Sequence, residues 1–143
     1  MFIKQISVFV ENKKGRLAKL TTALGDAGID LVALSIADTT NYGILRLIAK
    51  DIDKSLQLIR DAGFTANTTE VLAVAVADKP GGLAHVLNLL LQHDISVEYL
   101  YSFAHSPDKS ALVIFKVDDN ENAAAMLEKA GIQTLLHADL LAL

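Results

Sequence analysis

Two copies of one short motif decide the fold of this chain. The fuller copy reads Asp78-Lys79-Pro80-Gly81-Gly82-Leu83-Ala84, and an earlier copy reads Asn12-Lys13-Lys14-Gly15-Arg16-Leu17-Ala18. Gly81 and Gly15 stand 66 residues apart, and each copy lies between an alternating apolar run and a helical apolar pattern. Glycine supplies a turn with φ > 0, and the first N–H groups of a helix attract anions. Each copy therefore predicts either a simple turn or a small anion-binding loop.

The pattern around the first copy predicts a β-α-β-β-α-β unit. Ile6, Val8 and Val10 alternate as in a half-buried strand. Further elements follow in order: a helix with the apolar stripe Leu17, Leu20 and Leu24, closed by Gly28; two strands at residues 30–38 and 44–50 with hairpin residues at 39–43; a second helix at residues 52–59, stopped by Gly63; and an extended stretch from Phe64.

The second half of the chain repeats this order of elements. Leu72, Val74 and Val76 match the first strand at an offset of 66 residues, and Leu83, Val86, Leu87 and Leu90 match the first helical stripe. The offset becomes 68 beyond the hairpin, because residues 105–110 form a longer loop. A period that persists across a loop insertion indicates a duplicated unit. We therefore predict an α+β fold of two tandem βαββαβ units, at residues 1–69 and 70–143, with helices packed on one face of antiparallel sheets.

The segment between the two units and the C-terminal apolar stretch each lead to a further prediction. Residues 65–71 contain no Pro, Gly or charge run, so the last strand of the first unit is expected to run directly into the next strand. The apolar stretch Leu135–Leu141 is longer than a last strand needs. It indicates strand exchange between the units or pairing with a second chain.

Composition excludes several classes of function. The 143 residues are 52% hydrophobic and 21% charged, with a net charge of −4. The acidic balance argues against nucleic acid as a partner, and no apolar run reaches the length of a membrane span. The chain has no cysteine and opens directly on a strand pattern, so we expect a cytoplasmic protein.

Residues for catalysis, cofactors and metals are not grouped in recognisable motifs. The four histidines stand in different elements or too far apart to share an ion, and the acids at 118–121 are explained by a helix start. No phosphate-binding Gly-Lys-Ser/Thr loop and no nucleophile motif occur. We expect no cofactor, no metal and no enzymatic activity.

The motif and its surroundings resemble the ACT domain. The shared pattern is a strand, Asp/Asn-x-Pro-Gly-x-Leu, a leucine-rich helix, Gly-Ile-Asp/Ser, a hairpin and a second helix, and it covers the chain as two tandem copies. In the first copy Lys14 replaces the proline and Arg16 follows the glycine. The resemblance implies ferredoxin-like units, regulation of amino-acid metabolism, and an amino acid bound at an interface between two ACT units.

The resemblance also implies which residues contact the ligand. The loop following the first strand of each unit would hold it, together with the polar residue 15 positions after the glycine. The candidates are Asn12, Gly15, Arg16, Leu17 and Asp30 in the first unit, and Asp78, Pro80, Gly81, Gly82, Leu83 and Ser96 in the second. Loop N–H groups suit an α-carboxylate, and Asp78 or Asp30 suits an α-ammonium group.

Other roles remain open for these residues. Asp78 and Asn12 either contact ligand or cap the following helix, Arg16 either pairs with a carboxylate or lies in solvent, and Asp30 and Ser96 either contact ligand or end a turn. The function is expected to be amino-acid sensing by a free-standing homodimer. The alternatives are a regulatory subunit of a metabolic enzyme, similar to the acetolactate synthase small subunit, an interaction module without ligand, and an enzyme on the same scaffold.

Overall fold

A computed structural model describes residues 2–103 and 110–143, and it has the α+β architecture that the repeat predicts. In chain order the elements are β1 (Ile3–Glu11), α1 (Arg16–Asp26), β2 (Leu31–Asp38), β3 (Tyr42–Ala49), α2 (Ile52–Asp61), β4 (Thr65–Ala77), α3 (Gly82–Gln92), β5 (Val97–Phe103), β6 (Ser110–Val117), α4 (Asn120–Lys129), β7 (Thr134–Leu135) and α5 (His137–Leu141). The predicted long hairpin loop lies, except for Ser110, outside the described residues.

The N-terminal unit comprises Lys4–Thr69. Its strand order is β2-β3-β1-β4, and β3 pairs antiparallel with both β1 and β2. Alternate residues of the strands point to one face, where α1 and α2 cover them. The buried residues of this core include Ile6, Val8, Leu45, Leu47, Leu20, Leu24 and Ile59.

The C-terminal unit comprises Glu70–Ala142 together with Phe2 and Ile3. Its strand order is β7-β4-β6-β5, with antiparallel pairing throughout. The core again lies between one sheet face and two helices; its buried residues include Leu72, Val74, Val76, Val113, Phe115, Val117, Val86, Leu90 and Leu127. Two units built from matched positions confirm the duplicated fold class.

One strand serves both units. Thr65–Ala77 forms a single strand of 13 residues, so the predicted direct run from the first unit into the second is confirmed. Residues 65–69 of this strand belong to the N-terminal unit and residues 70–77 to the C-terminal unit. The domain bounds 1–69 and 70–143 stay a prediction.

One predicted detail is wrong, and one of two alternatives left open is not seen. Leu17 and Leu83 belong to the apolar stripes of α1 and α3, which the sequence pattern predicts to be buried against the sheet. They lie in the first turn of each helix and are 41% and 38% exposed, because the sheet covers only the later turns. The strand pairing within Leu135–Leu141 involves no exchange between the units, and pairing with a second chain stays a prediction. Only Thr134–Leu135 pairs with β4, inside its own unit, and His137–Leu141 turns into a short helix whose Leu140 is buried.

Candidate functional site

The loop between β1 and α1, called the N-terminal loop (residues 12–15), is a tight turn held by backbone hydrogen bonds. The N–H of Lys13 donates to Glu11 O at 2.8 Å, and the N–H of Arg16 donates to Lys13 O at 3.2 Å. Gly15 adopts φ +86°, a conformation that residues with a Cβ rarely take. The turn directs the chain into α1 without a side-chain cap.

The C-terminal loop (residues 78–81), between β4 and α3, repeats this geometry bond for bond. The N–H of Lys79 donates to Ala77 O at 2.9 Å, and the N–H of Gly82 donates to Lys79 O at 3.0 Å. Gly81 adopts φ +84°. The motif therefore encodes one turn, used twice.

Neither Asp78 nor Asn12 caps its helix. The N-cap residues of α3 and α1 are Gly81 and Gly15, and neither cap is made by a side chain. Asn12 instead donates through Nδ2 to Thr40 O at 3.2 Å, which ties the loop to the β2–β3 hairpin. Asp78 is exposed, and its carboxylate has no hydrogen-bond or ion-pair partner among residues 2–103 and 110–143. Asp78 is therefore available to a ligand.

Charged and aromatic side chains crowd the N-terminal loop. Glu11 Oε2 lies 2.9 Å from Lys13 Nζ, and Glu11 Oε1 lies 3.4 Å from Arg16 Nη2. The Arg16 guanidinium lies 5.2 Å from the ring centroid of Phe64, and Lys19 Nζ lies 5.8 Å from it. Arg16 is thus packed over the ring and half-buried, which corrects its alternative placement in solvent.

The cations beside Glu11 change its titration. A hydrogen bond and the charge of Lys13, with a further contribution from Arg16, hold the pKa of Glu11 below its usual value. A carboxyl whose pKa is lowered by folding stabilises the fold above its unfolded pKa, and the contribution is lost as the pH falls. Glu11 is exposed to solvent, so the contribution is small.

Asp30 and Ser96 have partners within their own units. Lys50 Nζ lies 3.1 Å from Asp30 Oδ2, and the backbone N–H of Ser96 donates to Asp118 Oδ1 at 3.1 Å. Ser96 precedes β5, which runs parallel to β4, whereas the C-terminal loop follows β4. The 11-residue helix α3, about 16 Å long, separates them. Asp30 and Ser96 therefore do not lie beside the loop of their own unit.

A cavity of about 660 Å³ adjoins the C-terminal loop. It opens between the end of β4, the first turn of α3 and the turn that follows α4. Its lining residues are Ala75, Ala77, Lys79, Pro80, Gly81, Gly82, His85, Val86, Ser110, Gly131, Ile132 and Gln133. Of the predicted residues, Pro80, Gly81 and Gly82 line it, whereas Asp78 and Leu83 do not.

A smaller cavity of about 100 Å³ adjoins the N-terminal loop. Its lining residues are Val10, Glu11, Asn12, Lys13, Leu17, Ile36, Asp38 and Gly43. Of the predicted residues, Asn12 and Leu17 line it, and the exposed Leu17 forms part of its wall. It is far smaller than a cavity that encloses a drug-sized molecule.

Sequence reasoning missed most of the large cavity's walls, including Lys79, His85, Ser110 and Gln133. The signal lay in the repeat itself, because Ala75 and Gly82 are small where the first copy has Phe9 and Arg16. In the part of the chain that the structure describes, no three His, Asp or Glu side chains are placed to hold a metal ion. No helix within those same residues is long and apolar enough to cross a membrane.

The chain is similar to a known protein family and to several solved structures. The model of a family described as an ACT domain pair matches residues 1–143. The crystal structure of protein BT0572 from Bacteroides thetaiotaomicron is 36% identical, with a TM-score of 0.93 over 100% of this chain and 98% of that one. The regulatory subunit of aspartate kinase from Thermus thermophilus, in its ligand-free form, is 16% identical, with a TM-score of 0.65 over 90% of this chain and 93% of that one. No curated protein sequence matches the chain.

Proposed function

Since the chain belongs to the ACT domain family, as a pair of ACT domains, we propose that it is a non-enzymatic regulatory protein that binds a free amino acid. ACT domain pairs are typical of amino-acid-sensing regulatory proteins. The observation that carries the proposal is the large cavity beside the C-terminal loop, where the motif is complete. Asp78, whose carboxylate has no hydrogen-bond or ion-pair partner among the described residues, belongs to the loop next to this cavity.

The chemistry of the C-terminal loop suits the two charges of an amino acid. The Gly82 N–H already donates to Lys79 O, but the start of α3 carries no side-chain cap, so the next N–H groups, of Leu83 and Ala84, and the helix dipole are open to an α-carboxylate. Asp78 accepts the α-ammonium group as a charge-assisted hydrogen bond. Gly81 and Gly82 keep Cβ atoms away from the approaching carboxylate.

The N-terminal loop is the weaker candidate. The Arg16 guanidinium already contacts Glu11 and Phe64, and Asp30 already pairs with Lys50. The small cavity beside Asn12 and Leu17 leaves little room for a side chain. We therefore propose that the C-terminal loop is the principal site.

A thermal-shift screen of the twenty amino acids tests the proposed function. A ligand present at 100 times its Kd stabilises the folded state by about 2.7 kcal/mol, so the true ligand should raise the melting temperature clearly. Calorimetry then measures the affinity. If no amino acid binds, the proposed function is wrong, and an interaction module without ligand becomes the better explanation.

The Asp78→Ala variant should weaken amino-acid binding by about ten- to a hundredfold, since a charge-assisted hydrogen bond contributes about 1.5–3 kcal/mol. Its stability without ligand should stay within about 0.5 kcal/mol of wild type, because Asp78 caps no helix. Asp119→Ala is the control. The Asp119 side chain accepts the Asn122 N–H at 3.0 Å as the cap of α4, so its loss should cost about 1 kcal/mol and leave binding intact. Unchanged affinity in Asp78→Ala would remove Asp78 from the site.

We also propose that the protein forms a homodimer or a higher even oligomer, and that it binds a metabolic enzyme as a partner. Leu34 and Ile36 lie half-exposed on β2, an edge strand, and such edges are covered in stable proteins. Sedimentation at micromolar concentration should therefore show a species at least twice the 15.4 kDa chain mass. Leu34→Ser combined with Ile36→Ser should shift it toward the monomer, whereas Leu91→Ser should not. A monomer in the wild-type sample would contradict the proposal.

A further inference from the structure

The two units provide an internal comparison for the large cavity. In the C-terminal unit Ala77 pairs with Ser110, and in the N-terminal unit Glu11 pairs with Tyr42 at the same position of the repeat. The offset of 66 before the hairpin and 68 after it therefore identifies a counterpart for each wall residue. The counterparts of Ala75, Ala77, Gly82, His85, Ser110 and Ile132 are Phe9, Glu11, Arg16, Lys19, Tyr42 and Phe64.

In the N-terminal unit these counterparts are large side chains that form two groups of contacts. Phe9 and Tyr42 stack with their ring centroids 4.3 Å apart and their planes 23° from parallel. The Arg16 guanidinium lies over Phe64, and Glu11 pairs with both Arg16 and Lys13. The protein's own rings and charges thus fill these positions of the N-terminal unit.

In the C-terminal unit the same positions carry small side chains. Alanines replace Phe9 and Glu11, glycine replaces Arg16, and isoleucine replaces Phe64. The loop of this unit forms the same turn hydrogen bonds and has nearly the same φ at its glycine. The two backbones differ at the next residue, because a Cβ on Gly82 would collide with Ala77 O whereas Arg16 carries a Cβ at the matching position. A space of about 660 Å³ thus lies where the N-terminal unit carries larger side chains.

The replacement also leaves one cation without its carboxylate. Lys13 forms its ion pair with Glu11, and Lys79 is the counterpart of Lys13. Ala77 stands where Glu11 would, and no carboxylate lies within ion-pair distance of Lys79 among the described residues. Lys79 and His85 line the cavity, and no acidic side chain among residues 2–103 and 110–143 does. The cavity therefore favours a negatively charged group.

We infer that the cavity binds a carboxylic acid with an apolar body, whose carboxylate takes the place that the Glu11 side chain has in the N-terminal unit. The carboxylate lies beside Lys79, at the uncapped start of α3. The apolar body packs on Ala75 and Ile132, where the N-terminal unit carries Phe9 and Phe64. The inference rests on the proposed function, and it adds the chemistry that the site selects.

Two kinds of small molecule share this chemistry: an amino acid with a large apolar side chain and the corresponding 2-oxo acid. The 2-oxo acid carries a carbonyl oxygen where the amino acid carries its ammonium group. Among the wall residues that the structure describes, none is acidic and able to receive that ammonium group. Asp78, exposed on the same loop, is the nearest acid in sequence. If Asp78 receives the ammonium group, the amino acid binds more tightly than the 2-oxo acid.

The test is calorimetry on the full chain with five probes: phenylalanine, leucine, the 2-oxo acid of the better binder, the carboxamide of that amino acid, which lacks the negative charge, and alanine. At least one amino acid or 2-oxo acid should bind, and the carboxamide should bind at least about tenfold more weakly. Alanine should also bind about tenfold more weakly or worse, because it lacks the apolar body.

The decisive variant is Ala77→Glu, which places a carboxylate of the protein itself where the ligand carboxylate is proposed to bind. It should weaken binding of the carboxylic acid by at least about tenfold, without lowering the melting temperature, since it forms the ion pair seen in the other unit. Ala75→Phe fills the apolar part of the cavity and should have a similar effect. Glu11→Ala, the reverse change in the N-terminal unit, is the matched control and should leave affinity unchanged.

The outcomes separate the inference from the proposed function. If an amino acid binds with equal affinity to wild type and to folded Ala77→Glu, or as well in its carboxamide form, the inference is wrong and the proposed function stands. If only the 2-oxo acid binds and Ala77→Glu weakens it, the inference holds and the proposed function is wrong. If no amino acid and no 2-oxo acid binds, both are wrong.

Discussion

The Leu90→Ala variant should lose roughly 2–5 kcal/mol of unfolding free energy, because it removes a fully buried side chain and leaves a void. Leu90 is 1% exposed and lies in the core of the C-terminal unit, on the face of α3 that packs against the sheet. The close packing of protein interiors prevents the neighbours from closing such a space completely. Urea denaturation followed by circular dichroism measures the loss.

The neighbouring leucine provides the control for Leu90. Leu91 is 73% exposed, so Leu91→Ala removes the same atoms from water-accessible surface and should change stability by less than about 0.5 kcal/mol. The comparison separates burial from any effect of alanine on the helix itself, since both changes lie on α3. Equal stability of the two variants would contradict the assignment of Leu90 to the core.

The repeat allowed the fold to be predicted because core positions in strands and helices have fixed periods. Val8 and Val74, or Leu24 and Leu90, are constrained in the same way by the sheet face that they cover, so their spacing persists. Such periods say less about the ends of elements. The first turns of α1 and α3 extend past the covered part of the sheet, and Leu17 and Leu83 are exposed there despite lying on the apolar stripe.

Of the two roles considered for Asp78, the role as helix cap fails for a local reason. Asp78 precedes a helical pattern, as an N-cap residue does, but β4 ends at Ala77 and a further turn intervenes before α3. The cap is therefore Gly81, three residues later. By contrast, Asp119 directly precedes α4 and caps it. The apolar tail after Leu135 could not be assigned by its periodicity, because a short apolar run fits a strand or a buried helix.

The candidate site was predictable only in part. The motif located the loop, since glycine is required for the positive φ at Gly81. The pairing of Asp30 with Lys50 depends on how β2 and β3 align, which no local pattern specifies. The large cavity depends on small residues at Ala75 and Ala77, which are easily overlooked because they make no motif. Comparison of the two copies position by position shows that these residues are small where the first copy carries large side chains.

Gly82 is fixed by a close approach of the backbone. A Cβ built on Gly82 would collide with the carbonyl oxygen of Ala77, which already accepts the N–H of Lys79. The φ of Gly82 is not in the left-handed region, so the collision, and not backbone strain, requires glycine. Backbone atoms cannot move aside as the end of a flexible side chain can. The end of β4 and the first turn of α3 would have to separate.

The Gly82→Ala variant should therefore lose about 1–3 kcal/mol or more of unfolding free energy, even though alanine favours helices over glycine. Gly25→Ala is the matched control. Gly25 lies in α1 with an ordinary φ, and a Cβ there meets no atom within 4 Å, so this variant should gain about 0.5 kcal/mol. Gly82→Ala should also weaken ligand binding, because Gly82 lines the large cavity. If both variants are as stable as wild type or more so, and Gly82→Ala binds ligand normally, the close approach at Ala77 does not shape the site.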